Sequence, residues 1–129
     1  MNFFPSNVKI LSTSRYLDGG SSKGNFDNFN LAFHVDDEKS AVLANRNLLF
    51  SHYKLPSRPV WINQTHSNLS VDADLSSSIV DADASYSRKP GTVCAILTAD
   101  CLPIFVCNKE GTSVGIAHAG WRGLVDGII

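Results

Sequence analysis

No run of Lys or Arg occurs anywhere in the chain, and the formal net charge of its 129 residues is −1 at neutral pH. That balance leaves no electrostatic footprint for a nucleic-acid backbone or an anionic lipid surface. No apolar stretch approaches the ~20 residues that a membrane helix needs. The amino terminus lacks the basic-then-apolar layout of a signal peptide. The reading is a cytoplasmic chain with neither nucleic acid nor membrane as a partner. Cysteine is scarce, with only Cys94, Cys101 and Cys107, and an odd count in a short span does not make a disulfide framework. A cysteine with a role here would act as a thiolate, on a metal or as a nucleophile. Four histidines and one methionine, Met1, cannot build a blue-copper site together with a multi-copper cluster.

What is present is the balance of a globular chain, 43% hydrophobic and 18% charged, in a length that suits one domain over residues 1–129. Residues 8–11 read as a strand, and Gly19, Gly20 and Gly24 mark turns in the polar stretch after it. Residues 37–53 predict a helix, with Ala41, Ala44, Asn45, Leu48 and Leu49 on one face. Asp36, Asp37 and Glu38 place negative charge at its positive end. Residues 60–62 and 69–71 predict short strands, and 72–90 a mainly irregular, acidic segment with short strands at most. The unbroken apolar run 93–97 predicts a strand buried on both faces. Residues 104–107 and 113–117 flank the turn-rich Asn108-Lys109-Glu110-Gly111, which predicts a hairpin. A helix should open at Leu124, and with so little chain left after it, it would be marginal alone.

Three segments share one layout, a strand-like run and then a compact polar element carrying one metal-ligand residue. His66 follows 60–62, Cys101 follows 93–97 and His118 follows 113–117. Loops at strand ends are where distant residues converge. The long separations between the three exclude a zinc-finger knuckle and suit a catalytic zinc, which has three protein ligands and an open fourth position. A plainer reading stands beside this one. Free cysteines are often buried, so Cys101 serves equally as a small core residue, as Cys94 and Cys107 do within their apolar runs. His118, next to a glycine, can simply end a strand. Asp100 weakens the plain reading, because a carboxylate there can fix a histidine tautomer or accept a proton. Two alternatives to the zinc enzyme remain: a thiol hydrolase with Cys101 activated by His118, and a zinc-binding segment without activity. Gly120 and Gly123 around Trp121-Arg122 resemble an anion cradle, with Arg122 supplying the charge. Arg15, Asn30 and Arg46 can orient an anionic or hydroxyl-rich substrate or be ordinary surface residues.

Taken in order, Gln64-Thr65-His66, Thr98-Ala99-Asp100-Cys101-Leu102-Pro103 and His118-Ala119-Gly120-Trp121-Arg122-Gly123 resemble the YfiH-like family. Its members have carried laccase-domain and polyphenol-oxidase labels and are understood as purine nucleoside phosphorylases. The resemblance extends to Ser14-Arg15, Asn30-Leu31, His34-Val35, Asp37 and Asn45-Arg46, nearly the whole chain. It implies an α+β fold, a layered α/β sandwich with a mixed sheet. It also implies one zinc ion on His66, Cys101 and His118. The residues themselves add Asp100 to those three as a catalytic set, and Arg15, Asn30, Arg46, Gln64 and Arg122 as candidate substrate or phosphate contacts. The implied reaction is phosphorolysis of adenosine, inosine and methylthioadenosine to the base and a ribose 1-phosphate, with adenosine deamination beside it. The implied partners are purine nucleosides and phosphate, and the implied setting is the cytosol. There are departures: Ser67 follows the histidine where members commonly have glycine, Ala32 and Asp36 stand where glycines are usual, and residues 16–20 look longer. Members continue well past the last block, so the chain is expected to be the amino-terminal part of a longer fold, truncated at the C-terminus.

Overall fold

The computed structural model describes residues 3–129; Met1 and Asn2, which open the amino-terminal stretch and the expected domain, lie outside them. The backbone forms two compact units. One is Leu11–Leu55, and the other is residues 3–10 together with Pro56–Ile129.

In the first unit, helix α1 (Lys39–His52) buries Val42, Asn45 and Leu49. The expected stripe is therefore rotated slightly: Asn45 and Leu49 face inward, but Val42 replaces Ala44, which is exposed. The helix starts after Asp37 because that carboxylate is engaged in the preceding loop. It accepts from Ser22 Oγ (2.6 Å), Asn30 Nδ2 (2.9 Å) and the Glu38 amide (2.8 Å). Asn45 organises the same loop from the helix side. Its Oδ1 accepts from the Ser21 amide (2.7 Å), and its Nδ2 donates to Ser22 Oγ (2.9 Å) and to the Asn30 carbonyl (2.8 Å). A fully buried carboxamide is tolerated there because its partners are present. Gly20 is needed for close approach, since a Cβ would lie 2.6 Å from the Asn28 carbonyl oxygen.

The second unit carries a four-stranded mixed sheet built from β1 (Ser70–Asp72), β2 (Ala84–Ser87), β3 (Leu102–Cys107) and β4 (Val114–Ala119). Its strand order is β1-β2-β4-β3, with β1 parallel to β2 and the other two pairs antiparallel. The α+β class with a mixed sheet is as expected. The hairpin forms as expected too, with β3 starting two residues earlier and β4 ending two residues later. Asn108 closes its turn by accepting from the Thr112 and Ser113 amides, and Gly111 takes φ +66°. A short helix α2 (Trp121–Val125) opens directly after β4, three residues ahead of the expected start at Leu124. Small side chains dominate the buried set of this unit: Ala73, Ala82, Ala84, Ala117 and Ala119 with Ile62. No helix among the described residues is long and apolar enough to cross a membrane.

Three strand expectations fail for identifiable reasons. Residues 8–11 join no ladder among the described residues, and the Val8 amide is used in a turn, donating to the Pro5 carbonyl (2.9 Å). Residues 60–62 and 93–97 meet only at one parallel bridge, Val60 with Cys94. Residues 93–97 are half-buried, not buried on both faces. The ladder stops because a side chain takes the place of a strand partner: the Gln64 amide accepts from the Leu97 N–H (2.7 Å) and donates to the Leu97 carbonyl (2.8 Å). Conversely, β2 lies inside the stretch expected to be mainly irregular and is an interior strand of the sheet. Its buried residues are Ala84, Ser85 and Ser87, which carry no apolar alternation for a sequence reading to detect.

Candidate metal centre

The antiparallel pairing of β3 with β4 aligns Leu102 with Ala119 and Pro103 with His118. Cys101, one residue before β3, is thereby brought beside the end of β4 and Gly120. On the opposite edge of β4, the His118 N–H donates to the Asp83 carbonyl (2.7 Å), continuing the β2–β4 register one residue beyond β2. Residues opposed across an antiparallel pair project to the same face. The Asp83 and His118 side chains therefore meet, with His118 Nδ1 2.8 Å from Asp83 Oδ1.

The same carboxylate gathers the loop that carries His66. The Thr65 and Ser67 amides donate to Oδ2 (3.1 and 2.7 Å) and the His66 amide to Oδ1 (3.0 Å), while the Ser67 hydroxyl adds a bond to Oδ2 (2.7 Å). Successive amides converging on one anion form a small nest. This nest holds His66 at φ +59°, a left-handed conformation that a residue with a Cβ rarely adopts. Asp83 is fully buried. Burial alone would raise its pKa, but the hydrogen bonds from His118, Ser67 and Thr65 outweigh it and hold the pKa at about 2. An ionised carboxylate only accepts, so the proton of a neutral His118 ring sits on Nδ1 and Nε2 is left with a lone pair.

His66, Cys101 and His118 each offer one ligand atom, and these atoms lie within 4.8 Å of one another. Cys101 Sγ is 3.9 Å from His66 Nε2, and the two imidazole rings meet edge-on with centroids 4.8 Å apart. Tetrahedral zinc with ordinary Zn–N and Zn–S lengths requires its ligand atoms to be roughly 3.4–3.6 Å apart. The group is wider than that, but two imidazoles and one thiol gathered at one point, with the second imidazole held by a carboxylate, are a donor set that could hold a metal ion. Gly120 forms the floor of the group. A Cβ on it would lie 3.0 Å from His66 Cδ2 and 3.2 Å from Cys101 Sγ. Without a cation the thiol is unfavourable as an anion: burial, then the adjacent Asp100 charge, push its pKa up.

The other residues singled out in the sequence divide between the two units. Asp100 is exposed beside Cys101, and the carboxylate that lies 2.8 Å from His118 Nδ1 is that of Asp83. Gln64 ties the His66 loop to Leu97, three residues before Asp100. Arg122 is exposed on α2, with its guanidinium 5.3 Å from the Trp121 ring centroid. Within Leu11–Leu55, Arg15 donates to the carbonyls of Asp27 (3.0 Å) and Asn25 (2.7 Å). Arg46 donates to the Leu31 carbonyl (2.9 Å) and stacks over Phe33, and burial lowers its pKa to about 10. Asn30 bridges Ala32 and Asp37. Asp83 and Ser67 were missed as contributors to the site. Asp83 is one of four acids in a short span, and nothing local separates it from Asp72, Asp74 and Asp81.

Residues 9–129 match the family model described as "Multi-copper polyphenol oxidoreductase laccase". The chain is 42% identical over 125 residues to a purine nucleoside phosphorylase of Haemophilus influenzae, covering 97% of this chain and 50% of that one. It is 46% identical over 127 residues to the purine nucleoside phosphorylase YfiH of Escherichia coli K12, covering 97% and 51%. The crystal structure of Neisseria meningitidis protein NMB0706 superposes with a TM-score of 0.88 at 43% identity, covering 97% of this chain and 50% of that one. The chain thus spans about half the length of the curated relatives it matches.

Proposed function

The chain belongs to the family described as multi-copper polyphenol oxidoreductase laccase, and on that premise we propose that it carries the metal centre of a zinc-dependent purine nucleoside phosphorylase. On this reading adenosine, inosine and methylthioadenosine react with phosphate to give the base and a ribose 1-phosphate. Adenosine deamination is a second activity of the same site, and the setting is cytoplasmic. The observation that carries the proposal is the gathering of His66, Cys101 and His118 within 4.8 Å in a chain 42–46% identical to purine nucleoside phosphorylases. Two imidazoles and one thiolate suit zinc with one position left open. Four histidines and one methionine among these 129 residues do not supply a blue-copper site together with a multi-copper cluster.

Zinc held there supplies a Lewis acid that can acidify water or polarise an oxygen. The protein's own residues do the rest. Asp83 keeps the His118 proton on Nδ1 and His66 in place, and Gly120 leaves room between the ring and the sulfur. Phosphorolysis joins a phosphate oxygen to the anomeric carbon as the bond from that carbon to the purine nitrogen breaks, with its electron pair leaving on the base. The protein must therefore hold an oxyanion in line and stabilise the departing base. Arg122, two residues beyond Gly120, is assigned to phosphate, and Asp100 to proton movement beside Cys101. Gln64 positions the His66 loop against Leu97. Arg15, Asn30 and Arg46 are assigned to substrate as side chains able to orient an anionic or hydroxyl-rich ligand; Arg15 has two carbonyl bonds, fewer than the five N–H donors of a guanidinium.

A thiol hydrolase reading is the weaker one. An unassisted Cys101 nucleophile needs a depressed pKa, and burial with Asp100 pushes it the other way, whereas a bound cation deprotonates a coordinating thiol. Metal analysis of the purified chain with an inosine assay separates the readings. About one zinc per chain is expected, with hypoxanthine released only when phosphate is present. A folded chain that takes up no metal removes the proposal. Stoichiometric zinc without turnover leaves a metal-binding protein and no reaction.

A further inference from the structure

We infer that Asp83 is a positioning residue that couples the two imidazoles of the candidate centre, fixing the His118 tautomer and the His66 backbone through one carboxylate. This rests on the metal reading above. Six donors converge on the two oxygens: His118 Nδ1 and the His66 amide on Oδ1, and the Thr65 and Ser67 amides with the Thr65 and Ser67 hydroxyls on Oδ2. The three backbone amides can only donate, and between them they occupy both oxygens, so no neutral side chain of the same size satisfies the site. The carboxylate is fully buried.

Asparagine in its place has one acceptor oxygen and one NH2. If the NH2 takes the Oδ1 position, it faces both the His118 Nδ1–H and the His66 amide; the ring relieves its clash by moving its proton to Nε2, the nitrogen needed as ligand, while the His66 amide loses its acceptor. If the NH2 takes the Oδ2 position, it faces the Thr65 and Ser67 amides, and the loop carrying His66 loses its anchor. Either orientation damages at least one of the two histidines without touching Cys101. Asp74 provides a matched comparison. Its carboxylate is similarly bonded, to Ser87 Oγ, the Arg88 amide and Thr92 Oγ1, and none of these is a candidate ligand.

The test measures zinc affinity by chelator competition and the His118 ring-nitrogen chemical shifts of the metal-free protein. Asp83→Asn is expected to weaken zinc binding roughly 10- to 100-fold. It should also either shift the His118 ring to the Nε2-protonated form or accelerate amide exchange at residues 65–67. Asp74→Asn should leave zinc affinity unchanged. A folded Asp83→Asn protein with wild-type zinc affinity overturns the inference. If that variant does not fold, the wild-type protein decides alone: a metal-free His118 carrying its proton on Nε2 overturns the inference, and one carrying it on Nδ1 supports it. Wild-type protein that binds no zinc overturns the metal reading itself, a result distinct from zinc binding that is indifferent to Asp83.

Discussion

A Cβ placed on Gly120 would stand 3.2 Å from the sulfur of Cys101. The backbone at Gly120 is ordinary extended chain, φ −69° and ψ 160°, which any residue can adopt. The glycine is thus required by space and not by conformation. Gly120→Ala is expected to leave the fold intact and to weaken zinc binding by about tenfold or more, because ligand atoms displaced by tenths of an ångström no longer share one cation. Thermal unfolding of the metal-free protein, set beside a zinc titration, separates the two effects. Equal affinity in both proteins would mean that the sulfur and the His66 ring have room that the structure does not show.

Cys101 and Cys107 should behave differently. Cys101→Ala is expected to reduce zinc content from about one per chain to below roughly a tenth. Cys107→Ala, at a half-buried position on β3, should keep its zinc and lose at most about 1 kcal/mol of stability. Elemental analysis after dialysis reads the first effect and urea unfolding the second. Full zinc retention in Cys101→Ala would identify the wrong ligand.

Asn45 is fully buried and serves a loop amide, a hydroxyl and a carbonyl at once. Asn45→Ala leaves the buried Ser22 hydroxyl and the part-buried loop groups without that partner and opens a gap in the core, and the expected cost is about 2–4 kcal/mol. The far-UV helical signal of α1 during denaturation measures it. A loss below about 0.5 kcal/mol, the range of an ordinary surface change, would show that the loop satisfies itself in another way.

Asp74 sets a pH dependence with a definite sign. The Ser87 hydroxyl, followed by the Arg88 amide and Thr92, holds its pKa at about 2, below the ordinary carboxylate value. A depressed folded-state pKa contributes stability that is present above the unfolded value near 4 and is lost as pH falls toward 2. Stability measured from pH 5 down to pH 2 should therefore fall less steeply in Asp74→Asn than in the wild type. Parallel curves would show that the carboxylate is no better bonded in the folded chain than in the unfolded one.

Legibility followed the range of the forces involved. The β3–β4 hairpin was readable because Asn108 and Gly111 are turn residues between two apolar runs, and a turn of that kind is decided locally. Helix α1 was readable from its period, although the loop's demand on Asp37 and Asn45 set where it starts and which face turns inward. Strand β2 was not readable, because alanine and serine fill its inward positions. The run at 93–97 misled for the opposite reason. It has the composition of a buried strand, but the Gln64 side chain occupies the backbone groups of Leu97.

The sequence by itself determined the ordered blocks around His66, Cys101 and His118 and the chain's near-neutral charge. Those depend only on residue identity and order. Tertiary structure alone decided that Asp83, among four nearby acids, is the one facing His118. Asp72 pairs with Arg88, Asp74 bonds Ser87 and Thr92, and Asp81 accepts from Asn63. The physical reason is register. Which carboxylate opposes a histidine depends on how β2 is aligned with β4, and a shift of one residue would turn a different side chain to that face.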